Sequence, residues 1–257
     1  MRIAVDMGNS ATKVALFDSE DLVELGRFPT ELLTSVEELT ARIGALIREG
    51  DREKIDGAVF TTVVPATRDV LAEGLRRLSG EKPLAITPSL DLGIRIGYGD
   101  PSELGADRIA SVAAAYAEEG GPLVVVDLGT ATTFNAVTGD GLFVGGAIAP
   151  GVLTGARAMA RRTARLFETK LLFPSSVIAR STEDGIRSGV LWGAVAFVDG
   201  MVERMFEELR GGRAIATGGL GSLVCPECRT IERYDPLLTL RGLRLLYQRN
   251  RPTRPRS

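Results

Sequence analysis

The chain has 257 residues, enough to bury one large or two small cores, and its 44% apolar and 25% charged content is ordinary for a globular protein. A formal net charge of -2 supplies no long-range pull toward nucleic acid or an anionic bilayer, so neither partner is expected. Histidine is absent, which restricts any general base to a carboxylate, a cysteine or a lysine and excludes histidine-ligated metal sites.

In chain order, residues 2–6 form a short apolar strand that ends at a glycine turn, with 12–17 as its hairpin partner and 22–28 as a third strand. Val36, Leu39, Ile43, Leu46 and Ile47 place a helix over 35–49. Residues 55–64 read as a β-branched strand stopped by Pro65, 66–78 as a helix and 84–87 as a strand. A loop and a helix over 106–118 follow, and Gly120-Gly121-Pro122 breaks the chain. The pattern then restarts, with strands at 123–127, 132–138 and 141–148 and a helix over 152–166. A long helix over 183–209 is expected to break or kink near Gly189 or Gly193. A late strand at 214–217 and a helix at 237–248 close the fold. The arginine-rich 249–257 is expected to be a disordered basic tail. Asp6 interrupts the first apolar run, and no stretch reaches ~18 uninterrupted apolar residues, so the protein is expected in the cytoplasm. Cys225 and Cys228 form a lone C-x-x-C, which cannot complete a tetrahedral zinc site and reads as two ordinary reduced thiols.

The restart is the informative feature. A shift of 121 positions carries Asp6-x-Gly8-Asn9 onto Asp127-x-Gly129-Thr130 and Thr12 onto Thr133. Each turn follows an equally apolar strand, as a domain-scale duplication would produce. The domains are expected at 1–118 and 119–248, with both turns at one cleft.

A glycine two residues after an aspartate turns the backbone sharply and lets amide N–H groups approach a ligand. Asn9, Ser10 and Thr12 add uncharged donors, and Lys13 adds a positive charge suited to a phosphoryl group. Asp6 and Asp127 would repel bare phosphate, so the pair implies a cation between them and a nucleotide; Mg2+ is the usual one. One such turn alone would read as plain turn chemistry.

Further along, Gly105 precedes a helix whose first turn holds Asp107 and Arg108. An aspartate there is favoured by the helix dipole whatever its role, or it accepts a proton from a substrate hydroxyl while Arg108 binds an anionic group. Gly145-Gly146-Ala147-Ile148-Ala149-Pro150-Gly151 and Thr217-Gly218-Gly219 read equally well as close packing or as room for a ligand.

These segments together resemble the type III pantothenate kinases of the acetate kinase/sugar kinase/Hsp70/actin superfamily. The resemblance rests on Asp6-x-Gly8-Asn9-Ser10-x-x-Lys13, Val63-Val64-Pro65, Tyr98-x-x-Pro101 and Gly105-Ala106-Asp107-Arg108. It continues through Asp127-Leu128-Gly129-Thr130, the 145–151 glycine segment, Ser181-Thr182, Thr217-Gly218-Gly219 and Leu238-Thr239-Leu240-Arg241-Gly242-Leu243. It implies an α/β fold of two duplicated ribonuclease H-like (actin-like ATPase) domains facing each other across a nucleotide cleft. It also implies ATP-dependent phosphorylation of pantothenate to 4′-phosphopantothenate, the first step of coenzyme A biosynthesis. By the same resemblance, Asp6, Met7, Gly8, Asn9, Ser10, Ala11, Thr12, Lys13 and Thr130 would contact ATP, and Asp107 would be the general base. Tyr98, Gly105, Ala106, Asp107, Arg108 and Thr182 would bind pantothenate. Asp127, with Asp6, would serve the metals, Mg2+ and a monovalent K+ or NH4+. A homodimer would complete the pantothenate site across its interface.

One position departs from the family pattern, since Asn135 stands where an acid is common. Two rival readings share the fold: another kinase or phosphatase of the superfamily, or a non-catalytic transcription accessory protein.

Overall fold

The computed structural model describes residues 1–18, 21–33, 35–47, 55–162 and 171–251. The chain divides into two compact units, Met1–Glu118 with the C-terminal stretch from Leu237, and Glu119–Pro236.

In the first unit β1 (Arg2–Met7), β2 (Ala11–Phe17), β3 (Leu22–Pro29), β4 (Ala58–Thr62) and β5 (Leu84–Ala85) form a sheet of order β3-β2-β1-β4-β5. The first three strands are antiparallel, and β4 and β5 run parallel to β1. Strand alternation sends Ile3, Val5, Met7, Val14 and Leu16 to one face. There they meet Leu39 and Ile43 of α1 (Val36–Leu46) and Leu71 and Leu75 of α2 (Arg68–Ser79). Truncating one of these leucines to alanine costs about 2–5 kcal/mol. Ser35 caps α1 by accepting the Glu38 N–H at 3.2 Å.

A two-residue strand β6 (Arg95–Ile96) and α3 (Ala106–Glu119) complete the segment before the chain break. The second unit holds β7 (Leu123–Leu128), β8 (Ala131–Val137), β9 (Leu142–Pro150), β10 (Arg213–Thr217) and β11 (Arg233–Tyr234), in the order β11-β10-β7-β8-β9. Helix α4 (Val152–Arg162) follows β9; residues 163–166, expected to extend it, lie outside the described residues. Val124, Val126, Leu128 and Phe134 pack on Val195, Val198 and Val202 of α5 (Thr182–Leu209). Helix α5 is continuous, so the break expected near Gly189 or Gly193 does not occur. Both glycines lie on an exposed face, and the packing of Leu191, Val195 and Val198 on the opposite side offsets their cost of about 1 kcal/mol each. A four-residue helix α6 (Gly221–Val224) follows β10.

The final helix α7 (Leu238–Asn250), expected at the end of the second domain, packs instead on β1 and β4 of the first unit. Its buried residues include Leu238, Leu243 and Leu246, and Tyr247 meets Phe17 edge-on at 5.6 Å. Gly242 lies so close to the Ala110 carbonyl that no Cβ fits there. Arg249 and Asn250, expected in the tail, are held: Arg249 pairs with Asp91 at 3.0 Å, and the Asn250 amide exchanges two hydrogen bonds with the Asp91 backbone. Residues 252–257 of the expected tail lie outside the described residues.

The duplication is visible in the register. β1 and β7 end in the same inward and outward alternation, and β2 and β8 have identical burial patterns. The second hairpin is one residue shorter: Gly8 N–H closes on Ala11 O, but Gly129 N–H closes on Ala131 O. The counterpart of Thr12 is therefore Thr132, not Thr133; both are buried and sit opposite Met7 and Leu128. Thr133 corresponds to Lys13, each facing the aspartate of its turn.

Candidate functional site

In the first unit, Asp6 lies half-buried at the end of β1, flanked by Lys13 on β2 and Thr61 on β4. Directly opposed antiparallel residues place their Cβ atoms about 5 Å apart on one face of the sheet, so Asp6 and Lys13 share a face. Behind the turn, Thr30 organises the backbone. Its hydroxyl donates to Gly8 O at 2.7 Å, its N–H donates to Ser10 O at 3.2 Å, and it lies 3.0 Å from the Thr12 hydroxyl. Thr12 is fully buried and engaged with Thr30, and Met7 is a core residue whose sulfur accepts from Thr67 at 3.0 Å. Both shape the turn from beneath, while Asn9 and Ser10 are exposed at its tip. Thr30 carried no sequence signal, because a threonine between Pro29 and Glu31 belongs to no motif.

The second turn is built from more backbone. Asp127 is half-buried between Thr133 on β8 and Thr217 on β10. Gly151 N–H and the Thr154 hydroxyl both donate to Thr130 O, at 3.1 and 2.7 Å, and leave the Thr130 residue exposed. Gly218 has φ 96°, and its Cβ position falls against Asp127 Oδ1 and the Leu128 backbone, so only glycine fits. Gly146 and Gly151 are likewise pressed against the carbonyls of Phe134 and of Gly129 and Thr130, which gives the packing reading of that glycine segment its physical basis. Asn135 is fully buried; its amide donates to Val125 O and to Thr133 Oγ1, both at 3.2 Å. An ionised acid could not make the donation to Val125 O, so the asparagine suits this site.

The segment from Tyr98 to Arg108 lies in the first unit and comes together as a cluster. Asp100 accepts from the Ser102 N–H at 2.9 Å and its hydroxyl at 2.7 Å, starting a short turn that leads to Gly105. Ala106 is the first residue of α3. Asp107 Oδ1 accepts the Arg108 N–H at 2.8 Å, and a Cβ on Gly105 would stand 2.5 Å from that same oxygen. Glycine is thus required for the carboxylate to occupy this position. Burial pushes the Asp107 carboxyl above its ordinary pKa, against the opposing pull of the Arg108 N–H and guanidinium charge. Arg108 is only 7% exposed, with its guanidinium 5.6 Å from the Tyr98 ring centre and Nη1 3.4 Å from the Tyr98 hydroxyl. A buried guanidinium beside a desolvated carboxylate can bind an anion and accept a proton side by side.

Thr182 is in the second unit. It is exposed at the first position of α5, directly after Ser181, which accepts the Asp184 N–H at 3.1 Å and caps the helix. Cys225 and Cys228 are free thiols, raised by burial to about 11 and about 12, the second also by the charges of Asp199, Cys225 and Glu227. Neither has the character of a thiolate nucleophile.

The family model for type III pantothenate kinase matches residues 2–204. A type III pantothenate kinase of Thermobifida fusca is 40% identical over 97% of this chain and 100% of its own length. Among solved structures, a Campylobacter jejuni protein described as a Baf family transcriptional activator superposes with a TM-score of 0.60 at 20% identity, covering 96% of this chain and 98% of that one. A ROK hexokinase from Thermus thermophilus gives 0.54 at 12% identity, covering 95% and 97%. At such identities the two structures speak for the fold alone, the duplicated ribonuclease H-like architecture of actin-like ATPases and sugar kinases.

Proposed function

The chain belongs to the type III pantothenate kinase family, and on that premise we propose how its own residues carry the reaction. The family reaction is the ATP-dependent phosphorylation of pantothenate in coenzyme A biosynthesis, and ATP with a divalent metal is its phosphoryl donor. In our reading Asp107 accepts the proton of the pantothenate primary hydroxyl. Arg108, held against Tyr98, receives the pantothenate carboxylate. The observation that carries this is the cluster itself: a desolvated carboxylate and a buried guanidinium on consecutive residues, with Gly105 clearing space for the carboxylate.

The turn from Asp6 to Lys13 is the phosphate grip, and Thr130 is a second nucleotide contact. The donor set fits hard cations: Asp6 and Asp127 each present one half-buried carboxylate, and among the described residues no group of three or more His, Cys, Asp or Glu could cage a metal. Mg2+ is commonly held through one or two carboxylates, waters and substrate phosphates. Bound there it would neutralise charge on the transferring phosphoryl group, while a monovalent K+ or NH4+ would sit at Asp127.

We further propose a homodimer, from the surface of the helix that carries Thr182. Only 33% of the most apolar 18-residue window of α5 is buried, and Phe197 on it is exposed. Such an apolar face calls for cover; in our reading a second copy covers it, and Thr182 serves the partner's pantothenate site.

The test is ADP release in a coupled assay with a panel of acceptors. Turnover is expected with pantothenate, Mg2+ and K+ or NH4+, and not with sugars or acetate. Equal turnover with a sugar would overturn the assignment of the acceptor cluster. Light scattering should give a dimer that Phe197→Asp dissociates.

A further inference from the structure

Thr61 and Thr217 occupy equivalent places in the two units. Thr61 on β4 is the parallel register partner of Asp6 on β1, and Thr217 on β10 is the partner of Asp127 on β7. Side-by-side residues on neighbouring parallel strands point to the same face and lie about 4.8 Å apart. Each threonine is 1% exposed, and neither hydroxyl has a hydrogen-bond partner among the described residues. A buried hydroxyl without a partner is costly, and valine would fill the same volume on a strand without that cost. The same costly choice stands beside the aspartate of both turns, and no ladder hydrogen bond or cap accounts for it.

We propose that Thr61 and Thr217 are positioning residues for the two aspartates. When a cation or a metal-bound phosphate engages one carboxylate oxygen, the neighbouring threonine hydroxyl donates to the other oxygen and fixes the carboxylate's rotation. A carboxylate has about four acceptor directions, so one oxygen can serve the ligand while the other accepts the hydroxyl. This rests on the proposed cation roles of Asp6 and Asp127 and extends them to the residues beside them.

The test compares T61V, T217V, T61S and T217S with D6N and D127N. The readouts are the thermal shift induced by a non-hydrolysable Mg-ATP analogue and the shift induced by KCl against equal NaCl. Steady-state kinetics then split kcat from the half-saturating concentrations. T217V should weaken the K+ effect and T61V the Mg-nucleotide effect, each roughly threefold to tenfold, the span of one hydrogen bond. The melting temperature without ligand should stay level or rise, and the serine variants should restore wild-type half-saturation. Valine variants with wild-type ligand shifts, while D6N and D127N lose theirs, would overturn the threonine role alone. Valine variants that melt lower without ligand yet keep their ligand shifts would also overturn it. Wild-type shifts in D6N and D127N would overturn the cation roles and this inference with them.

Discussion

Replacing Asp107 with asparagine separates what the residue does for the reaction from what it costs the fold. Asn keeps an oxygen able to accept the Arg108 N–H that now bonds Asp107 Oδ1 at 2.8 Å, so the start of α3 should be unchanged. What disappears is the ionisable group. General-base assistance contributes about 10²- to 10⁴-fold, so kcat should fall by that factor, about 3–5 kcal/mol of barrier. The fold should respond in the opposite direction. Burial raises the folded-state pKa of Asp107, and a carboxyl so raised contributes stability below its unfolded pKa and loses it as pH rises through the folded value. At pH 7.5 the ionised side chain therefore weakens the native state, and D107N should melt at or above the parent. The difference should vanish near pH 3, where both side chains are neutral. The parent's kcat/KM should fall on the acid side at a pH above the ordinary aspartate value of about 3.9. Calorimetry across pH and a coupled ADP assay measure both arms. A D107N protein within threefold of parental kcat would refute the assigned base, and one that melts lower at pH 7.5 would refute the desolvation argument.

Two further outcomes follow from particular contacts. Asp199 is a buried carboxylate in α5 whose burial works against ionisation. It is outweighed by bonds from the Thr230 hydroxyl and N–H and the Arg229 N–H, and its pKa lies below the ordinary value. Its stabilisation is present above the unfolded pKa and lost as pH falls through the depressed folded one, so urea melts of D199N should lose about 1–3 kcal/mol at pH 7 and converge with the parent at low pH. Thr133→Lys would place a fixed ammonium opposite Asp127, where Lys13 stands opposite Asp6; turnover should then become independent of K+, and a retained K+ requirement in the kinetic assay would count against a cation at Asp127.

Most of the fold was legible because apolar alternation is strong where strands are buried. β1 and β7 run as apolar segments into an Asp-x-Gly turn, and the structure places both in the middle of their sheets. The ends were less legible. α7 followed the second unit in sequence but buries its leucines against the first, since an amphipathic stripe states that a helix needs a partner and not which one. The expected break of α5 failed because glycine propensity is a weak prior beside the packing of a 28-residue helix. In the candidate site the motif residues were visible, yet Thr30 and Thr61 were not, and Thr217 stood out only as part of a glycine segment. Their importance comes from register and from bonds across the sheet, and those are fixed only once strands pair.

The one-residue difference between the hairpins gives the two turns different electrostatics. In the longer turn the residue across from the aspartate is Lys13; in the shorter one it is Thr133. A lysine supplies a permanent positive charge beside Asp6, so that carboxylate is already partly compensated and its face suits an anion brought in with a metal. At Asp127 the opposite residue is a neutral hydroxyl whose oxygen accepts from the Asn135 amide, and the proton of that hydroxyl must be donated elsewhere. The charge of Asp127 is therefore less compensated across the hairpin, which is the condition that favours a bound cation. Asn135, whose amide donates to that hydroxyl, adds no charge of its own. Our proposed monovalent ion at Asp127 requires that charge balance.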